Sequence, residues 1–161
     1  MLAAAAAHEA GHLAALLALG CPVGGVWLTA TGPVIRCDMP QSGAAAAAVS
    51  LAGPLSGLAA WLALRSCWPL AAEMSAVLTA VNLLPVLPLD GGRALRSALG
   101  GGARAARVMT CLRAGICFCL TALGVVCALR GLGGAPLLLA FWLLLLPKTC
   151  KTAPDDVQYS Y

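Results

Sequence analysis

A chain of 161 residues that is 61% hydrophobic and only 10% charged, with a mean hydropathy of +0.91, has the composition of an integral membrane protein and not of a soluble domain. Its net charge of +4 is modest, aromatic residues make up 5%, and no basic run occurs, so nucleic-acid binding is excluded. Basic residues in such a chain report topology instead.

The first apolar segment runs from the start of the chain to Leu19, near the short end of the roughly 17–25 residues a spanning helix needs, so a truncated N-terminus is one expectation. It does not read as a signal peptide, because a basic flank is missing and removal would discard both histidines of the chain. Those histidines stand in His8-Glu9-Ala10-Gly11-His12. Residues four apart share a helix face, so both imidazoles can point at one cation while Glu9 projects beside them. This is the pattern of a zinc hydrolase, in which neutral imidazoles hold the metal, a fourth position stays open for water, and the glutamate takes that water's proton. A polar patch on a soluble surface is the alternative. It is disfavoured because the segment is otherwise Ala, Leu and Gly, with no other charge and no polar face.

Gly20-Cys21-Pro22 ends the helix, and residues 24 to 37 then read as a β-hairpin, with Val26, Trp27, Leu28, Thr29 and Thr31 before a Gly32-Pro33 turn and Val34, Ile35 and Arg36 after it. An ordinary interfacial loop fits the pattern nearly as well. A ribbon here must lie at the membrane interface or line a protein cavity, since lipid leaves open strand edges unsatisfied. Gly43 to Leu64 is a second span carrying Ala52-Gly53-Pro54-Leu55-Ser56-Gly57. The small residues permit close helix approach, Pro54 is expected to kink the helix, and a packing role without chemistry suits these positions.

A third span covers about Pro69 to Val86, followed by Leu87-Pro88-Leu89-Asp90-Gly91-Gly92-Arg93. Broken backbone at membrane depth is tolerated where it is buried in protein or faces a water-filled cavity, and an intramembrane carboxylate there marks a functional site. Asp90 therefore reads as a third metal ligand or, equally, as the N-cap of a following helix. Glu73 is rejected as a substitute ligand: it lies at the far end of that span, more than two helical turns from Asn82, and suits pairing with Arg65 or a water-facing end.

Gly100-Gly101-Gly102 separates a fourth span, Arg104 to Arg130, from what precedes it, and Ala135 to Leu146 is a short fifth. Cys111, Cys117, Cys119 and Cys127 fall in apolar helical sequence and read as packing residues; with no CxxC pair among the eight cysteines, a thiolate zinc site is not expected. Arg36, Arg93, Arg96, Arg104, Arg107, Lys148 and Lys151 fall on one side of a five-span topology, against Arg65 and Arg130, with Arg113 inside a span. The positive-inside rule then places the tail, the hairpin and the Asp90 loop on the cytoplasmic side.

The His8-Glu9-Ala10-Gly11-His12 motif followed by Asn82-Leu83-Leu84-Pro85-Val86-Leu87-Pro88-Leu89-Asp90-Gly91-Gly92 resembles the site-2 protease family of intramembrane zinc metalloproteases, and Ala52-Gly53-Pro54 resembles that family's small-residue element. The resemblance implies an all-α polytopic membrane protein with a short β-hairpin after the first helix: a three-helix catalytic core at 1–100, further transmembrane helices at 101–147, and a short cytoplasmic tail at 148–161. It implies Zn2+ held by His8, His12 and Asp90, Glu9 as the catalytic base, and Asn82 binding the unwound substrate or its developing oxyanion. It also implies a membrane-protein substrate within the lipid bilayer of a bacterial cytoplasmic membrane, a strand edge that pairs with the extended substrate, and a place for a regulatory membrane partner. Gly57 departs from the asparagine many relatives carry there, and upstream helices, a PDZ-like insert and a CBS-type domain are not expected. The layout is similar to the compact sporulation branch that processes a membrane-tethered sigma-factor precursor. Two other readings stand beside this one: a catalytically inactive relative acting as a membrane partner, and a zinc-binding membrane transporter, which would need a polar path that Leu13–Leu19 and Ala114–Leu129 lack.

Overall fold

Helix α1, Leu2–Ala18, is built almost entirely of alanine and leucine and buries a single stripe with a four-residue step: Ala4, His8, His12 and Leu16. One helix face therefore carries both imidazoles into the protein. Gly20 adopts the left-handed conformation at φ 68°, and two bonds, Cys21 N–H to Leu16 O and Gly20 N–H to Leu17 O, both at 3.0 Å, close the helix end. The structure is a computed structural model that describes residues 2–29, 32–37, 40–145 and 159–160, with 26–36 and 159–160 described as backbone. Thr31, Leu146, Lys148 and Lys151 lie outside the described residues.

The expected hairpin is present. Strands β1 (Val23–Thr29) and β2 (Gly32–Cys37) pair antiparallel with Trp27 opposite Val34, and a bulge falls between Val23 and Gly25. Its turn is displaced from the expected position, because Gly32 and Pro33 open β2 opposite Thr29 and Leu28. Proline lacks an N–H and is accommodated at a strand start, so Gly-Pro here marks the beginning of a strand. A third strand, β3 (Tyr159–Ser160), continues the sheet in the order β1-β2-β3 by pairing with Arg36 and Cys37.

Helix α2, Gly43–Leu64, runs through Pro54 without interruption and packs against α1, against α3 (Pro69–Asn82) and against α4 (Asp90–Ala98). Glycines set these approaches. A Cβ at Gly11 would collide with Ala52 O and Ser56, one at Gly53 with the His12 ring, and one at Gly57 with Thr79 Oγ1. Directional bonds then join the surfaces: Ser56 Oγ donates to Ala7 O at 2.7 Å, and Ser75 Oγ donates to Gly57 O at 2.9 Å. Gly57 is thus explained by this chain's own packing, since its missing side chain leaves the space that Thr79 fills.

The third span is shorter than the expected Pro69–Val86. Helix α3 stops at Asn82 because Pro85 and Pro88 cannot continue it. The chain turns through 83–89, with Leu87–Pro88 cis, and restarts as α4. Side chains at Gly91 and Gly92 would strike the backbone of Leu83–Leu84 and Val86–Leu87, so Gly-Gly lets the first turn of α4 rest directly on the broken segment. Helix α4 was not among the expected spans.

Helices α5 (Gly102–Leu129) and α6 (Ala135–Leu145) pack on each other and meet the core through Val86, Leu89, Cys117 and Leu143. The Arg113 guanidinium donates to the carbonyls of Leu143 and Leu144, which explains a cation within an apolar span: it satisfies the otherwise orphaned C-terminal acceptors of α6. Arg113→Leu is expected to destabilise this docking by about 2 kcal/mol, measured as faster amide exchange in α6 with α1–α4 unaffected. Among the described residues, α2 and α5 are long and apolar enough to cross a membrane, and α1 and α6 are shorter apolar helices. Large apolar side chains such as Leu62, Phe118, Leu129 and Phe141 face outward, as a lipid solvent requires. Cys37 and Cys117 are buried in apolar clusters.

Candidate metal centre

Two helices converge on one buried point. The period-four stripe of α1 supplies His8 and His12, and the restart of α4 supplies Asp90; the three are 4%, 1% and 6% exposed. His8 Nε2 lies 2.9 Å from Asp90 Oδ2, His12 Nε2 lies 3.3 Å from the same oxygen, and the two Nε2 atoms are 3.3 Å apart. The rings stand nearly perpendicular at 80° with centroids 4.9 Å apart, so their edges meet without stacking.

The capping alternative for Asp90 does not hold. Leu89 is the residue with extended dihedrals at the α4 N-cap, without a side-chain cap bond, and Asp90 is the first helical residue. Its carboxylate is turned to the histidines and not to its own helix.

His12 Nδ1–H donates to Val49 O at 2.8 Å, which fixes that tautomer and leaves Nε2 with a lone pair. The lone pair faces a carboxylate oxygen and a second imidazole nitrogen. Three such atoms so close, out of contact with water, must share a proton among them or hold a cation. The ligand atoms all fall within 4.8 Å of one another. Ligands about 2.0–2.1 Å from a tetrahedral zinc lie about 3.3 Å apart, and the observed separations agree with that to within a few tenths of an ångström. Two buried atoms here have no hydrogen-bond partner, His8 Nδ1 and Glu9 Oε2. Glu9 is half-buried and within electrostatic reach of His8, His12, Asp90 and Arg93. It adjoins the cluster without joining it. The residues present fit a zinc ion.

Asn82 ends α3, and its amide donates to Leu78 O at 3.0 Å; this bond is to its own helix and not to the cluster. Glu73 is exposed on α3, on a different side from the buried Ala72, Ser75 and Thr79. Arg65 lies over the Trp61 ring at 5.7 Å, and among the described residues no ion pair joins it to Glu73. The hairpin reaches the site indirectly: Cys37 of β2 packs with Leu16 and Val49, and Val49 is the residue that holds His12.

Sequence reasoning missed the Val49 carbonyl, which carries no side-chain signal, and the close support of His12 by Gly53. The small-residue element was the available signal for the latter. Gly53→Ala is expected to displace the His12 ring and destabilise the protein by about 1–3 kcal/mol, with zinc affinity falling alongside thermal stability in a metal titration.

The sequence profile of peptidase family M50 matches residues 39–122, so the chain belongs to this family of intramembrane metalloproteases, the site-2 proteases. The match takes in α2, α3, α4 and Asp90; the histidine motif lies before it. The fold is that of a site-2 protease: the chain is similar to the site-2 protease from Methanocaldococcus jannaschii with a TM-score of 0.62 at 20% identity, over 89% of this chain and 73% of that one. No curated protein sequence matches significantly. By family and by its apolar helices, the chain is a membrane-embedded protease.

Proposed function

We propose that the chain is a zinc metalloendopeptidase that hydrolyses a peptide bond in or near a transmembrane segment of a membrane-tethered protein, for which a sigma-factor precursor in a bacterial cytoplasmic membrane is one fitting substrate. The observation that carries this reading is the buried convergence of His8 Nε2, His12 Nε2 and Asp90 Oδ2 with the Glu9 carboxylate beside it. His8, His12 and Asp90 would hold the metal. When bound, zinc supplies Lewis-acid polarisation of the scissile carbonyl and makes water nucleophilic near neutral pH.

Glu9 takes the proton from the attacking water and returns it to the departing amine nitrogen. Its unpartnered Oε2 leaves an acceptor ready for that proton. Burial of all three ligands excludes bulk water from the reacting centre. Asn82 contacts the unwound substrate backbone, which requires its amide to exchange the Leu78 bond for a substrate bond. The outer edge of β1 is the surface on which an extended substrate pairs by strand addition, since β2 lies between β1 and β3, and an active site toward the cytoplasm agrees with the distribution of arginines.

The reading is tested by reconstituting the chain in liposomes with transmembrane substrates that carry helix-destabilising residues near one membrane face. Cleavage that stops on chelation and returns with zinc supports it. Zinc-loaded protein that cleaves none of them speaks for the inactive relative.

A further inference from the structure

Helix α1 has little in its own surface to fix its rotation. Of its seventeen residues all but Glu9, Gly11 and the two histidines are alanine or leucine, so its ridges are shallow and repetitive. Yet the metal centre requires that α1 be held at one rotation, because turning the helix moves both imidazoles away from Asp90 together. Directional bonds must supply what packing does not, and among the described residues two that reach α1 from behind the ligand side chains come from α2. One is the Val49 carbonyl on His12. The other is Ser56.

Ser56 Oγ lies 2.7 Å from Ala7 O, 2.8 Å from Gly53 O and 3.4 Å from His8 O. Its single proton serves one acceptor at a time, and the shortest of the three contacts is the one across the helix interface. Ala7 O is also the carbonyl that Gly11 N–H addresses in a regular helix. The serine therefore binds the turn joining the two ligand histidines from behind. Gly11 makes this approach possible, since a Cβ there would strike the Ser56 side chain. Val49 and Ser56 are two helical turns apart on α2 and grip α1 at His12 and at Ala7, on either side of the metal-binding turn.

We propose that Ser56 is a positioning residue of the metal centre: its hydroxyl, admitted by Gly11, sets the rotation of α1 and so the convergence of His8 and His12 on Asp90. This rests on the zinc reading above and deepens it. Ser56 touches neither metal ligand side chain nor substrate and acts through the α1 backbone.

The test compares wild type, Ser56→Ala and Ser56→Thr in detergent, with zinc affinity read by competition against a chromogenic chelator and site geometry by the visible absorption of the Co2+ form. Ser56→Ala is expected to bind zinc about 10-fold or more weakly, in line with the loss of an outer hydrogen-bond partner. Its Co2+ bands should shift, while the metal-free melting temperature stays close to wild type. Ser56→Thr keeps the hydroxyl and should restore both readouts. Should the alanine variant not fold, Ser56→Cys keeps the volume with a weaker donor and should fall between wild type and full loss. Wild-type affinity and an unchanged Co2+ spectrum in Ser56→Ala, or in a folded Ser56→Cys, would overturn the assignment. So would a threonine variant as weak as the alanine one. A wild type that binds zinc but cleaves nothing would defeat the protease reading and leave the assignment standing; one that binds no zinc would defeat both.

Discussion

Glu9→Gln is expected to retain its zinc and lose proteolysis by about 10²- to 10⁴-fold, the usual contribution of a general base. The substitution preserves size and shape, and neither the metal cluster nor the helix loses a bond, because Glu9 is not among the converging ligand atoms and its Oε2 has no partner. An amide cannot accept the water's proton at neutral pH. Zinc content per chain and initial cleavage rate, measured on the same preparation, check both halves of the expectation. A variant that cleaves at the native rate would show that another group is the base; one that has lost its zinc would show that Glu9 holds the metal.

Asp90→Ala and His12→Ala are expected to lose zinc outright, by more than the 10- to 100-fold that removal of an outer-shell partner costs. Each takes away one of three ligands. Their stability effects should differ. Asp90→Ala removes a buried carboxylate and with it the partner of the two histidines, a loss partly offset because the carboxylate no longer has to be kept out of water. His12→Ala opens a cavity beside Gly53 and removes the imidazole bond to the Val49 carbonyl, which adds about 1 kcal/mol to the cost of the cavity. Calorimetry of the metal-free variants should rank His12→Ala below Asp90→Ala, with zinc binding abolished in both.

The residues of the proposed metal centre were legible in the sequence for a physical reason. Histidine, glutamate and aspartate inside apolar segments are costly unless they serve a site, so they stand out against alanine and leucine. The hairpin was legible from its β-branched run, although Gly32-Pro33 was read as the turn and proved to open β2. The end of α3 was placed four residues late, because the apolar sequence through Val86 hides where the backbone breaks. Asp90 could not be assigned from local sequence, since a helix start and a metal ligand favour the same residue; only the position of α1 against α4 separates them. Support from Val49 O was invisible, being a backbone atom brought near by the α1–α2 crossing. Gly53, Ser56 and Gly57 were read as packing residues, and their packing turns out to bear on His12, on the turn between the histidines and on Thr79.

X-ray absorption at the zinc edge, on folded wild-type protein of known metal content, tests the central claim most directly. The account predicts about one zinc per chain with only nitrogen and oxygen ligands, two of them imidazoles, at about 2.0–2.1 Å. Sulfur in the ligand shell, at about 2.3 Å, would place the metal on cysteines instead, and folded protein that takes up no zinc would contradict the metal centre altogether.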